Sequence, residues 1–295
     1  MREVVTARPL PLSPAARRLA GRVAFAAALV GLLLGIGTLV LHLTSDPLAD
    51  TRVYYDAGAR LNAGLPLYDS EATGSAGLYL YPPLLGILFR PLALLPFSVA
   101  AMIWQAIVVG AFALALQRAG IRKGVLMAVG CLALPILWAL SIGQAEPLIT
   151  LLLATASPAS IALAGHLKLV PWLAAVYWVG RRDVRSLVRF TIWVLAIGIV
   201  QLVLEPAGTL AYLRLTWLRP AFAVRNISPY AIHPLLWVAM VAGLAVLALR
   251  YAPSRHGWAL AVVLAVLAYP RLLTYQLMSL LAAFGGPPQN RDAGE

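Results

Sequence analysis

Lys168 stands alone as a cation in the apolar run Ala164-Gly165-His166-Leu167-Lys168-Leu169-Val170-Pro171. An ammonium at membrane depth is costly, so it normally faces a cavity or a partner. One reading makes it the binding cation for an anionic headgroup or phosphate; the other is a lysine snorkelling to a nearby interface. His166, two positions away, faces elsewhere and reads as packing. The carboxylates with chemical interest are Asp50 and Asp56, in Asp50-Thr51-Arg52-Val53-Tyr54-Tyr55-Asp56. A carboxylate beside the membrane can serve as general base towards a sugar or lipid hydroxyl; the competing reading is a solvated acid. Arg90 lies in an apolar helix, and Arg225 and Arg271 lie near expected outer ends of spans. Each can pair with phosphate or anchor to lipid headgroups. Glu146, just after Gln144, begins an apolar segment, where it can hydrogen-bond a ligand or complement a helix N-terminus.

The elements that must position these groups are membrane helices. Of the 295 residues, 61% are hydrophobic and 12% charged, against about 25% charged in a soluble domain. Polar surface is too scarce to cover a water-soluble core. Backbone groups cannot go unpaired in lipid, which leaves helices or a closed barrel, and continuous rather than alternating apolar runs exclude the barrel. The net charge of +12 is dispersed in short clusters between apolar runs. That is the pattern of cytoplasmic loops, not of a nucleic-acid interface. Cys131, the one cysteine, excludes a disulfide framework.

The expected architecture is all-α: a polytopic helical bundle of roughly 8–10 membrane segments, some re-entrant or broken. Residues 1–19 read as a cytoplasmic tail, 20–284 as a single transmembrane domain, and 285–295 as a polar tail. The first span, 19–43, leads to an outer loop, 44–81, holding Asp46, Asp50, Asp56, Asp69 and Glu71 against Arg52 and Arg60. Within it 51–62 can form a short helix with Val53, Ala57 and Leu61 on one face, suited to lying on the membrane surface. Residues 82–96, with breaks at Pro91 and Pro96, read as a re-entrant or partly inserted helix and 97–117 as a full span, with two short crossings as the alternative. A further span at 124–141 ends at Gly143-Gln144. Residues 147–179, interrupted by Ser157-Pro158 and Pro171, read as one tilted span or two half-spans. Then follow a basic loop around Arg181 and Arg182, a span at 190–204, an outer loop at 205–231, a span at 232–249 and a last membrane region at 257–284. The basic ends place the N-terminus inside a plasma-membrane, multi-pass protein.

Several motifs, in order, resemble glycosyltransferase family 87. They are Asp50-x3-Tyr54-x-Asp56-Ala57-Gly58, Gly64-Leu65-Pro66-Leu67-Tyr68, Tyr81-Pro82-Pro83-Leu84, Arg90-Pro91-Leu92-Ala93 and Leu94-Leu95-Pro96. Trp104-Gln105, Gly143-Gln144, Lys168-x2-Pro171, the basic Arg181-Arg182 loop and Asn226-Ile227-Ser228 follow. The similarity spans roughly residues 20–280. That family belongs to the C-type membrane glycosyltransferases and includes phosphatidylinositol mannoside mannosyltransferases. The resemblance implies inverting transfer of a sugar, mannose as the family-level expectation, from a polyprenyl-phosphate donor to a lipid or glycan acceptor at the extracytoplasmic face. It implies Asp50 as general base and Lys168 with nearby arginines as the donor-phosphate site. The substrate-binding set is completed by Tyr54, Asp56, Tyr81, Arg90, Gln144, Glu146, Arg225, Asn226 and Arg271. Partners are the donor, the acceptor and membrane lipids, with no nucleic acid, and no cofactor or metal is expected. Departures are Glu146, near a place where many relatives have asparagine, and Tyr275 beside Pro270-Arg271, where many have a histidine. Two other functions compete: a transporter or flippase for lipid-linked sugars, for which inverted repeats would speak, and a catalytically silent membrane subunit.

Overall fold

The computed structural model describes residues 13–68, 79–214 and 226–286, and every regular element among them is helical. Helix α1 spans Pro14–Ser45, capped by the Ser13 hydroxyl accepting from the Ala16 amide. It therefore starts inside the segment expected as a tail, with Arg17 and Arg18 in its first turns. At about 1.5 Å per residue its 32 residues exceed a hydrocarbon thickness. Helix α2, Ala49–Asn62, buries Thr51, Tyr54, Ala57, Gly58 and Leu61. This is the expected short helix, but Tyr54 rather than the half-buried Val53 completes its apolar face, which packs on protein. A Cβ at Gly58 would lie 2.6 Å from the Phe89 carbonyl oxygen, so glycine allows α2 to close on the end of α3, Pro83–Phe89. Seven residues reach only about 10 Å, so α3 with the 3-10 turn Leu92–Leu94 is an inserted element ahead of the full-length α4, Phe97–Ala119.

The segment expected as one span at 124–141 is two helices, α5 (Lys123–Cys131) and α6 (Ala133–Ser141), bent by 65° at Leu132. The cause lies partly in α1. A Cβ at Gly31 would fall 2.5 Å from the Gly130 carbonyl oxygen, and one at Gly35 would fall 2.7 Å from that of Ala133. The two glycines thus seat the backbone of the bend directly on α1. Gly35→Leu is therefore expected to lower the melting temperature of the purified protein by several degrees through overpacking. Gly37→Leu, whose added Cβ would meet nothing within 4 Å, should leave it unchanged; equal effects would refute the close-packing account.

The broken region resolves into α7 (Glu146–Thr155) and α8 (Pro158–Lys168). Ala156 in the left-handed region (φ 53°) and a Ser157/Ser160 capping box turn the chain between them. A 3-10 turn (Val170–Ala175) and α9 (Val176–Gly180) lead to α10, Val184–Leu204, whose N-terminus is capped by Asp183. Helix α11, Pro206–Arg214, follows. After the Pro229–Ala231 turn come α12 (Pro234–Tyr251), α13 (Gly257–Leu267) and a 3-10 helix, Thr274–Phe284.

Among the described residues, four helices (α1, α4, α10, α12) are long and apolar enough to cross a membrane, or five with the bent pair, and α10 and α12 bury only 6% of their apolar windows. A helix apolar on the side turned away from the protein faces lipid. The architecture is that of a multi-pass membrane protein. The buried core lies elsewhere, among α2, α3, α4, α7, α8, α13 and the C-terminal 3-10 helix.

Candidate active site

The site is built where α1 hands over to α2. Leu48 adopts φ 57°, which turns the chain, and the first α2 amides bond outside their own helix: Leu48 N–H to the Ser141 carbonyl (3.1 Å), Asp50 and Thr51 N–H to that of Ile142 (3.0 and 3.3 Å). Helix N-termini leave such donors free, and here the end of α6 supplies the acceptors. The Gly143 carbonyl is held by the Trp104 indole N–H at 2.8 Å and by the Thr51 hydroxyl at 3.4 Å. Gly143 itself has φ 68°. This turn aims Gln144 at Asp50.

Gln144 uses all its polar valences. Its Nε2 donates to Asp50 Oδ2 (2.7 Å) and to the Tyr81 hydroxyl (2.9 Å), while Oε1 accepts from the Tyr54 hydroxyl (2.5 Å) and the Ala145 amide (2.9 Å). A fully bonded buried carboxamide positions its neighbours and has no group left for a ligand. The Asp50 carboxylate is thereby fixed through one oxygen, leaving Oδ1 for another partner. Burial raises its pKa from 3.8 to about 6 despite the nearby positive charges of Lys168 and Arg271 and the Gln144 hydrogen bond. Burial also keeps the Tyr54 and Tyr81 phenols well above their usual range, so both remain neutral hydrogen-bonding groups.

Lys168 is buried, 8% exposed, and does not snorkel. Its Nζ donates to Glu146 Oε2 at 2.6 Å, and the other Glu146 oxygen accepts from the Ser279 hydroxyl at 2.5 Å, which in turn meets the Thr150 hydroxyl at 2.9 Å. The ammonium lies 4.9 Å from the centroid of the Tyr275 ring and 5.7 Å from that of Tyr81. Helices α7 and α8 are nearly equal in length and fold back at Ser157. The last residue of α8 therefore lands beside the first of α7. Leu169 follows with φ 52° and ψ −62°, a strained conformation for a residue with a side chain.

Arg271 contributes a second positive charge to the Asp50 environment. Its Nε is buried without a hydrogen-bond partner. The loop that carries it is pinned by Asn226, whose Nδ2 donates to the Pro270 carbonyl (3.0 Å) and whose Oδ1 accepts from the Leu272 amide (2.9 Å). The expected ligand contact at Asn226 is thus spent on holding both flanks of Arg271.

Asp50, Tyr54, Tyr81, Gln144, Glu146, Lys168 and Arg271 therefore share one locality. Arg90 and Asp56 do not. Arg90 exchanges hydrogen bonds with Asn62, its Nε donating to Oδ1 at 3.1 Å, and Asn62 ends α2 about 18 Å along the axis from Asp50. Asp56 is exposed on the outer face of α2. Arg225 lies outside the described residues. Tyr275 and Ser279, not nominated from sequence, stand against Lys168 and Glu146. They lie four and eight residues after Arg271, and their roles depend on α7 and α8 being packed against them.

The family model of glycosyltransferase family 87 matches residues 79–286, well over half of the chain. The chain belongs to glycosyltransferase family 87. Membership of this family implies glycosyl transfer from a polyprenyl-phosphate sugar, and hence a lipid-linked donor and an acceptor. The family 87 match begins at Tyr79, so it covers Tyr81, Gln144, Glu146, Lys168 and Arg271, while Asp50 and Tyr54 on α2 precede it. The comparisons with curated proteins and with solved structures return no match.

Proposed function

We propose that the chain transfers a sugar, mannose as the family-level choice, from a polyprenyl-phosphate donor at the extracytoplasmic face, with inversion, and that Asp50 is the general base. The observation that carries this reading is the Asp50 carboxylate fixed by Gln144 within the field of two cations, Lys168 and Arg271. One oxygen is bonded to the carboxamide, and the other is free to take the acceptor hydroxyl proton. As that proton leaves, the acceptor oxygen attacks the anomeric carbon and the bond from that carbon to the phosphate oxygen breaks. The leaving group is a phosphate, so no general acid is needed; fixed positive charge at the departing oxygens suffices.

Two cations serve that charge differently. Lys168 is already neutralised by Glu146, while Arg271 has an unspent, buried N–H. Arg271 is therefore the primary phosphate contact and Lys168 the supporting one. Arg271→Gln is expected to weaken donor binding by about tenfold or more, as loss of a charge-assisted bond to an anion does, with the fold intact. Donor affinity unchanged in this variant would remove Arg271 from the site. The test of the whole reading is transfer in proteoliposomes from a polyprenyl-phosphate sugar. Product formed from a nucleotide sugar alone would exclude the donor class, and transport of the donor without transfer would favour the flippase.

A further inference from the structure

Six arginines outside the active site gather where α9 passes into α10 and where α12 ends. They are Arg181, Arg182, Arg185 and Arg189 on one segment, Arg250 and Arg255 on the other, and all six are exposed. Two segments distant in sequence meet here because of Gly180. A Cβ on it would lie 2.5 Å from the Ala252 Cβ and 2.6 Å from the Leu249 carbonyl oxygen, so glycine lets the end of α9 close on the last turn of α12. The Arg181 guanidinium spans the junction. Its Nη1 donates to the Ala252 carbonyl at 3.5 Å, and its centre lies 5.4 Å from the centroid of the Tyr177 ring. Arg182, with φ 55°, turns the chain towards α10.

The protein sets little negative charge against this cluster. Between residues 147 and 286 the sequence holds two carboxylates, Asp183 and Glu205. Glu205 lies at the other end of the 21-residue α10, about 30 Å away at the helical rise. Asp183 accepts from the Ser186 amide at 3.0 Å as the cap of α10, and among the described residues none of the six arginines is ion-paired. Helix stability does not explain the charge either. The N-terminus of a helix favours acidic residues, yet Arg185 and Arg189 stand in the first two turns of α10. Topology requires basic loops, but not two of them joined by a glycine contact.

The cluster is on the face away from Asp50. The far end of α10 leads to α11, whose Gly208 sits against Leu67, next to Tyr68, whose hydroxyl bonds the Tyr81 carbonyl. The far end of α12 begins beyond the segment that pins the Arg271 loop. Each helix therefore runs from the site to the arginines, over roughly one hydrocarbon thickness.

We propose that these arginines hold the phosphate of an anionic phospholipid from the leaflet opposite the active site, with its acyl chains against Val179 of α9 and Val184 and Val188 of α10. Guanidinium forks match a phosphodiester, and basic pockets between membrane helices take anionic headgroups. The three valines are exposed beside the arginines, so the surface offers charge and hydrocarbon together. An acidic peptide would match the first and not the second. Helix α9 packs on both α10 and α12, so a lipid seated here bridges two spans that the protein itself covers on only 6% of their apolar windows. The proposal stands apart from the transfer reading.

The test is lipid binding to the full-length protein in detergent, counted by native mass spectrometry during titration with dioleoylphosphatidylglycerol or dioleoylphosphatidylcholine. The expected result is saturable binding of phosphatidylglycerol about tenfold tighter than of phosphatidylcholine. The double variant Arg185→Gln with Arg250→Gln should lose that preference. Both side chains are exposed and without an ion pair, so its melting temperature in detergent alone should match the wild type. Arg118→Gln, at the end of α4, should keep the preference. Glycerophosphoglycerol, the same headgroup without chains, should not compete at equal concentration. Equal binding of the two lipids, an undiminished preference in the double variant, or the same loss in Arg118→Gln would overturn the proposal. Competition by glycerophosphoglycerol would also overturn it and assign the arginines to a soluble anion.

Discussion

Asp50→Asn is expected to lower transfer turnover by about a hundred- to ten-thousandfold, the range a positioned general base supplies, while donor affinity and folding persist. Asparagine keeps the shape and can still accept from Gln144 Nε2, so the Tyr54–Gln144–Tyr81 network need not move. Only the ability to take a proton is lost. The sign on stability is equally definite. A carboxylate whose pKa is raised in the folded state binds its proton more tightly there than in the unfolded chain. The fold is therefore favoured as pH falls through about 6 and opposed by this group above it. Asp50→Asn should consequently be at least as stable as the wild type at neutral pH. A variant that loses transfer because it unfolds would speak against this account, as would one that transfers normally. Stability by thermal melt and initial rates in proteoliposomes separate the outcomes.

Lys168→Met should behave in the opposite way, damaging the fold first. Removing one member of a buried ion pair strands the other charge, at a cost of about 3–5 kcal/mol. Here the stranded group is Glu146, 1% exposed, with only the Ser279 hydroxyl left. Replacing both members, Lys168→Met with Glu146→Gln, restores an uncharged interior and is expected to recover most of that stability. The coupling between the two changes then measures the pair. The double variant also isolates the chemistry. If Lys168 helps to hold the donor phosphate, the recovered fold should still bind donor about tenfold more weakly than the wild type. Wild-type donor affinity in a stable double variant would make the pair purely structural and leave Arg271 as the sole phosphate contact.

The spans were legible where hydropathy alone decides. Runs at 19–43, 97–117, 190–204 and 232–249 correspond to α1, α4, α10 and α12, because a lipid-facing helix need only be long and apolar. The bend at Leu132 was not legible. Both of its arms are apolar, and its seating depends on Gly31 and Gly35, a hundred residues earlier. At the site, an isolated lysine at membrane depth correctly implied a partner. The partner's identity followed from the helical hairpin about Ser157, which places Glu146 opposite Lys168 only once both helix lengths are known. Arg90 misled because charge in an apolar segment was read without its distance along α2, and Asn62 at the far end takes it. Asn226 was found for the wrong reason. Its hydrogen bonds hold the Arg271 loop, a long-range role that local sequence does not carry. Tyr275 and Ser279 belong to a helix whose polar face becomes meaningful only against α7.

The most direct test of the central claim is the pH dependence of kcat/KM for transfer from a polyprenyl-phosphate sugar in proteoliposomes. The donor phosphodiester does not titrate in this range, so an acid limb reports the base in the free enzyme. The account predicts a limb with a midpoint near pH 6, set by burial of Asp50. It should move to higher pH in Arg271→Gln, which removes a charge that lowers the Asp50 pKa. A limb at the ordinary carboxylate position near pH 4, or one that does not move when Arg271 is neutralised, would contradict it.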